Sequence, residues 1–277
     1  MLWQTSRHTI DLAHARVMGI VNVTPDSFYD GGRHIGVDSA RQHCERLVDE
    51  GADILDIGGE STRPGARAPD VQEEIDRVLP VLEHACTLGV PVSVDTSRAE
   101  VIRAALAAGA DIVNDVRALR WPGALEAVTA HAACGVCLMH MFGDDPAAMQ
   151  RAPTYDDVVE TVRDFLQERL AQVERTGVAK SRIALDPGIG FGKTTEHNWA
   201  LMKGLDTLCA LGRPLVIGWS RKSTLGALTG RDADDRLPAS LAAALAAVQR
   251  GARIVRVHDV AATVDALAVW RRCGLNA

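Results

Sequence analysis

Apolar residues in this chain gather into eight short runs, at 17–23, 54–58, 90–95, 112–114, 136–140, 183–186, 215–218 and 254–258. Nearly every run ends in a polar or charged residue followed at once by a glycine-bearing loop. Runs rich in Val, Ile and Leu fit strands of a parallel sheet covered on both faces, where a polar residue is tolerated only at the strand end. Segments of helical period lie between them. Residues 155–176 carry Val158, Val162, Phe165, Leu166, Leu170 and Val173 on one stripe, with Thr154 as N-cap, Asp156 and Asp157 in the first turn and Gly177 as stop. Segments near 39–50, 72–88, 97–108, 123–133, 197–211, 238–250 and 263–273 behave likewise, giving eight helices for eight strands. Gly51, Gly109 and Gly251, each followed by Ala, repeat as C-caps between a helix end and a strand start.

This alternation predicts a (β/α)8 barrel, a TIM barrel, occupying residues 1–277 as a single domain, with residues 3–12 forming a short hairpin that closes the bottom. Asn22, Asp95, Asn114, His140, Asp186, Arg256 and His258 then collect on one rim. That rim is where such barrels place their active sites.

Composition narrows the class. A length of 277 residues suits one barrel, and 47% hydrophobic with only 4% aromatic residues implies a core of Ala, Val, Leu and Ile. A net charge of −6 argues against nucleic acid or an anionic membrane as partner. No apolar stretch approaches the ~18 residues of a bilayer span. The first ten residues lack a signal peptide's basic and apolar regions, so a cytoplasmic enzyme is expected. Cys134 and Cys137 are spaced to face opposite sides of a strand, which speaks against a redox pair or metal clip. Cys44, Cys86, Cys209 and Cys273 read as small buried hydrophobes.

Asp95, Asn114 and Asp186 offer acceptors that suit a flat heterocycle presenting N–H donors, although a lone strand-end Asp can equally be a cap or an arginine's partner. Arg256 and His258, two apart on one strand, point the same way. With Asn22 and Arg63 they form a set of charge-assisted donors for an anion. Lys222 is a candidate point cation or a solvated surface lysine. The run Gly190-Phe191-Gly192-Lys193-Thr194 resembles the tail of a phosphate-binding P-loop, yet Pro187 stands where that pattern demands glycine. Lys193 is therefore expected to be peripheral, with Gly188 and Gly190 permitting close backbone turns. No cluster supports zinc, leaving His140 and His258 as hydrogen-bonding groups. Residues 24–37 and 60–69 are long glycine- and proline-punctuated connections of the kind that close over substrates.

Asn22-Val23-Thr24-Pro25-Asp26-Ser27-Phe28, Gly58-Gly59-Glu60-Ser61-Thr62-Arg63-Pro64-Gly65, Ser93-Val94-Asp95-Thr96, Asp186-Pro187-Gly188-Ile189-Gly190-Phe191-Gly192-Lys193, Gly218-Trp219-Ser220-Arg221-Lys222-Ser223 and Arg256-Val257-His258-Asp259-Val260 together resemble the dihydropteroate synthases, a pterin-binding family of folate synthesis. Six ordered motifs on six strand ends carry the resemblance from about Val17 to the C-terminus. It implies a transferase that joins p-aminobenzoate to 6-hydroxymethyl-7,8-dihydropterin pyrophosphate. It also implies Asp95, Asn114 and Asp186 at the pterin, Lys222 at the pterin or the pyrophosphate region, and Phe28, Thr62, Pro64, Phe191 and Ser223 at p-aminobenzoate. Asp30 would lie near the reacting methylene, and Arg63, Arg256 and His258 at the pyrophosphate. Mg²⁺ would be held through Asn22, and the protein would be a homodimer, for which Leu241, Leu245 and Val248 or Leu267 and Trp270 offer an apolar face. Tyr29 and Phe142 depart from the family's pattern without touching a matched residue. Rival readings are a pterin-binding methyltransferase, a non-catalytic pterin-binding paralogue and a Schiff-base aldolase using Lys222.

Overall fold

Eight parallel strands form one sheet that curls until its ends meet. In the computed structural model, residues 1–24, 33–60, 67–143 and 153–274 are described. The strands are β1 (Leu2–Gln4), β2 (Thr9–Asp11), β3 (Arg16–Asn22), β4 (Ile54–Gly58), β5 (Val92–Asp95), β6 (Ile112–Asp115), β7 (Gly135–Met139), β8 (Ile183–Asp186), β9 (Val216–Ile217) and β10 (Ile254–Val257). The helices are α1 (Arg33–Asp49), α2 (Val71–Ala85), α3 (Ala99–Ala107), α4 (Ala124–Thr129), α5 (Val158–Arg175), α6 (Thr195–Lys203), α7 (Leu205–Cys209), α8 (Ser223–Thr229), α9 (Leu237–Gln249) and α10 (Val260–Arg272). The parallel order β8-β7-β6-β5-β4-β3-β10-β9 closes through one further bridge, Leu185 beside Leu215. This is the expected (β/α)8 barrel. Gly51, Gly109 and Gly251 mark the joints at φ of 94°, 105° and 103°, a conformation that side chains resist.

Several local expectations are corrected. The expected helix over 197–211 breaks into α6 and α7 at Gly204, where a Cβ would stand 2.8 Å from Val159 Cγ1. An additional helix, α8, follows the seventh barrel strand. The N-cap of α5 is Asp157, not Thr154: the Asp157 carboxylate accepts from the N–H groups of Val159 and Glu160 at 2.9 and 3.1 Å, so Asp156 and Asp157 precede the first turn. Val248 and Leu267 belong to the barrel-facing core rather than to an outer face, while Leu241, Leu245 and Trp270 are half-buried.

The barrel interior follows from the strand period of two. Met18, Ile54, Ile112, Cys137, Ala184, Val216 and Ile254 point inward and form one apolar layer near the bottom, sealed by Trp3, Ile10 and Leu12. These last three come from the expected hairpin, β1 and β2, whose antiparallel register sets Trp3 opposite Ile10. Trp3 Nε1 donates to the Arg182 carbonyl at 2.8 Å, which satisfies its one polar group in a dry site. Cys137 lies in this inner layer and Cys134 in the shell between strands and helices, on opposite sides as expected. Cys44 is buried, Cys86 and Cys209 half-buried, and Cys273, expected to be buried, is exposed past the end of α10. Among the described residues no helix is long and apolar enough to cross a membrane.

Candidate active site

Two residues further along the strands, the inward positions change character. Ile54 gives way to Asp56, Ile112 to Asn114, Ala184 to Asp186 and Ile254 to Arg256, joined by Asp95 from β5. Asp56 contradicts the expectation that polar residues stand only at strand ends: it sits in mid-strand and is 0% exposed. Its signal was present in the sequence as an Asp in phase with the inward positions of its run. The rule that strand interiors are apolar concealed it.

Arg256 occupies the centre of this layer. Its Nε donates to Asp56 Oδ2 at 2.6 Å and its Nη2 to Asp95 Oδ2 at 2.8 Å, while Asn114 Nδ2 donates to the same Asp56 oxygen at 3.0 Å. Burial works against the guanidinium's charge, but the carboxylates of Asp56 and Asp95 prevail and raise its pKa. Asp95 is pushed up to about 7, mainly by burial, against the pull of Arg256 and with repulsion from Asp56. Asp186 is also raised by burial, although its Oδ1 accepts the Gly188 N–H at 2.7 Å.

The loop after β8 is shaped by two glycines. Gly188 has φ of 69° and a Cβ there would fall 1.9 Å from the His140 carbonyl oxygen; Gly190, at φ of 81°, lies under the Lys222 side chain. Lys222 Nζ stands 4.4 Å from the centre of the Phe191 ring. Burial and then Arg256 bring its pKa down to about 8. Phe191 itself packs on Val116, Met139 and Met141. Lys193 is not peripheral. It is buried, with Nζ 2.9 Å from His140 Nδ1 and donating to the carbonyls of Phe191 and His140 at 3.1 and 3.3 Å, which ties this loop to the end of β7. Burial lowers Lys193 to about 7. It lowers His140, which faces Lys193, to about 2.

At the top of the layer, His258 follows β10, and its Nδ1 is 3.0 Å from Ser220 Oγ. That hydroxyl also accepts the His258 backbone N–H at 3.2 Å, which favours the tautomer with its proton on Nε2. Burial and then Arg256 depress His258 to about 3, so it is a neutral donor in the free site rather than the charged one expected. Asn22 ends β3 in register with Gly58 and is half-buried. Among the described residues no group of three or more His, Cys, Asp or Glu side chains could hold a metal. An amide oxygen alone suits a hard cation that keeps its waters and shares phosphate oxygens.

Ser223 opens α8 and is exposed. Phe28, Asp30, Thr62, Arg63 and Pro64 lie outside the described residues, as does Tyr29. The residues flanking 61–66 are firmly held: Glu60 faces buried Arg117 at 3.5 Å, and Arg98 donates to the Pro69 carbonyl at 2.7 Å. Phe142 meets Tyr155 edge-on at 5.5 Å and helps line a cavity of about 500 Å³ with Arg120, His140 and Phe165.

A barrel mouth lined with buried acceptors around one arginine, beneath a neutral histidine and a lysine, can hold a flat N–H-bearing ring with an anion above it. Residues 18–258 match the pterin binding enzyme family. The chain belongs to that family. Within it, the dihydropteroate synthase of Neisseria meningitidis serogroup B is 53% identical over 281 residues, covering 99% of this chain and 98% of that one. A structure of the Xanthomonas albilineans dihydropteroate synthase with 4-aminobenzoic acid superposes with a TM-score of 0.91 at 54% identity, over 96% of this chain and 95% of that one. The same enzyme in complex with 7,8-dihydropteroate gives 0.88 at 51% identity, over 97% of each chain.

Proposed function

We propose that the polar layer of the barrel binds the dihydropterin ring and that the residues above it hold the pyrophosphate. The reaction is dihydropteroate synthesis: p-aminobenzoate and 6-hydroxymethyl-7,8-dihydropterin pyrophosphate give 7,8-dihydropteroate and pyrophosphate in folate biosynthesis. The convergence of Asp95, Asn114 and Asp186 around Arg256 carries the residue-level reading. Each offers an oxygen where the ring offers N–H donors. Lys222, on the face of Phe191, sits at the edge of the same space.

In the reaction the C–O bond to the pyrophosphate breaks and its electron pair leaves with the phosphate oxygen, so positive charge grows on the methylene. The p-aminobenzoate nitrogen then forms the C–N bond and releases one proton to solvent. Arg256 holds a fixed positive charge beneath the departing anion, and neutral His258 donates through Nε2, so donors are aimed where negative charge develops. As negative charge grows on the departing phosphate oxygen, the hydrogen bond from the neutral His258 Nε2–H strengthens. An arylamine is unprotonated at neutral pH, so the chain needs no strong base. Magnesium, when bound, would neutralise pyrophosphate charge; Asn22 would be its protein contact. Asp30, from the first long connection, would face the methylene. Phe28, Thr62 and Pro64 would join Phe191 and Ser223 around p-aminobenzoate, with Arg63 from the same connection reaching the pyrophosphate. The chain would work in the cytoplasm as a homodimer drawing on Leu241, Leu245 and Trp270.

A coupled assay of pyrophosphate release tests this reading. Release that requires both substrates and magnesium is the expected result. Release without the amine, or none with both substrates, would overturn it.

A further inference from the structure

Asp56 makes two hydrogen bonds through one oxygen, Oδ2, to Arg256 Nε and Asn114 Nδ2. Its other oxygen, Oδ1, is buried and has no hydrogen-bond partner among the described residues. It lies one strand repeat above Ile54 and one below Gly58, in the layer of Asn114, Asp186 and Arg256, and both of its hydrogen bonds go to members of that layer. A carboxylate oxygen only accepts. The Asn114 group 3.0 Å from it must therefore be the amide NH₂, because the reversed amide would set two acceptors against each other. The amide oxygen is thus turned away from Asp56.

We propose that Asp56 is a positioning residue that sets the specificity of the pterin site: by holding the Asn114 NH₂ toward itself it makes that amide present an acceptor to the ring. Without Asp56 the Asn114 amide can turn over and offer donors, and Arg256 loses the partner of its Nε. With Asp56 in place, Asp95, Asp186 and the Asn114 oxygen all offer acceptors around Arg256. This set favours a ring with N–H groups along its edge and rejects one with carbonyls there, since opposed acceptors are left buried and unpaired. Asn114 alone of the three can reverse its polarity, which is why its orientation has to be fixed by a neighbour.

The inference rests on the pterin reading above and is tested by comparing two ligands. 6-Hydroxymethylpterin carries an amino group at ring position 2, and 6-hydroxymethyllumazine carries a carbonyl there. Calorimetric titration of both into the wild-type chain, Asp56→Ala and Asp56→Asn gives a selectivity ratio for each. Asp56→Ala is expected to lower the pterin-to-lumazine ratio at least tenfold. Asp56→Asn, whose amide oxygen can still accept from Asn114 and Arg256, should keep most of it. A residue that merely supports the fold would weaken both ligands in parallel and leave the ratio unchanged, and that result in Asp56→Ala would overturn the proposal. If Asp56→Ala does not fold, Asn114→Asp supplies the second measurement. Its carboxylate carries no NH₂ and sets acceptor against acceptor at Asp56, so the proposal expects Asn114→Asp with Asp56→Asn to bind pterin at least tenfold better than Asn114→Asp alone; equal affinity would overturn it. A wild-type chain that shows no preference for the pterin would instead remove the pterin reading itself.

Discussion

Ile54, Ile112, Ala184 and Ile254 lie one strand repeat below Asp56, Asn114, Asp186 and Arg256, on the inner wall of the same four strands. The lower four share a dry layer with the hairpin residues Trp3, Ile10 and Leu12. The upper ones are polar, with Asp56, Asn114 and Asp186 buried and Arg256 half-buried, and burial raises the pKa values of Asp186 and of Asp95 beside them. The lower layer returns the free energy of apolar burial to folding. The upper layer costs desolvation that one arginine and a few hydrogen bonds offset only in part. A ligand that supplies the missing donors would complete it. Stability and binding therefore separate along a single strand, about two residues apart.

The comparison breaks most readily from below. Trp3→Ala removes a fully buried indole from the bottom seal and should destabilise the protein by about 3–5 kcal/mol in urea unfolding, with pterin affinity changed less than threefold. A large loss of pterin affinity in this variant would show the two layers to be one unit. Asp186→Asn acts on the other side. On the proposed reading a carboxylate that accepts from the ring becomes an amide that also points donors at it, and pterin affinity measured by calorimetry should fall by about 2–3 kcal/mol. Its folded-state pKa is raised, so the ionised Asp186 carboxylate costs stability at neutral pH; the neutral amide should unfold no earlier than wild type.

The pH dependence sharpens the same point. Burial pushes Asp95 up to about 7, and below that pH it would carry a proton where, on the proposed reading, the ring also donates. Pterin affinity should decline as pH falls below about 7, approaching tenfold per unit, and this acid limb should vanish in Asp95→Asn. On the alkaline side Lys222 loses its charge near 8, so turnover should fall above that pH and the limb should disappear in Lys222→Met. Unchanged limbs in these variants would assign the titrations to other groups. The smallest effect belongs outside both layers: Cys273→Ser, at an exposed thiol beyond α10, should leave unfolding and affinity unchanged.

The barrel was legible because Val- and Ile-rich runs ending in Asn22, Asp95, Asp186 and His258 can hardly be anything but strands of a parallel sheet. Helix ends were less so. Thr154 and Asp157 are both good caps, and the choice fell to Asp157, whose carboxylate reaches two N–H groups at once. Asp56 escaped notice because its partners, Arg256 and Asn114, are 200 and 58 residues away in sequence and meet it only when the barrel closes. Lys193 was hidden in the same way, because its ring and carbonyl contacts to His140 lie 53 residues away in sequence. His258 kept its place but not its charge, since burial and the positive charge of Arg256 both act through space.

Thermal unfolding with and without saturating 6-hydroxymethylpterin, on wild type, Trp3→Ala and Asp186→Asn side by side, tests the separation of the two layers most directly. The ligand-free midpoint reports the lower layer and the ligand-induced rise reports the upper one. Trp3→Ala should melt early and keep its ligand-induced rise, whereas Asp186→Asn should melt no earlier than wild type and lose most of that rise. A rise lost in Trp3→Ala, or preserved in Asp186→Asn, would contradict the account.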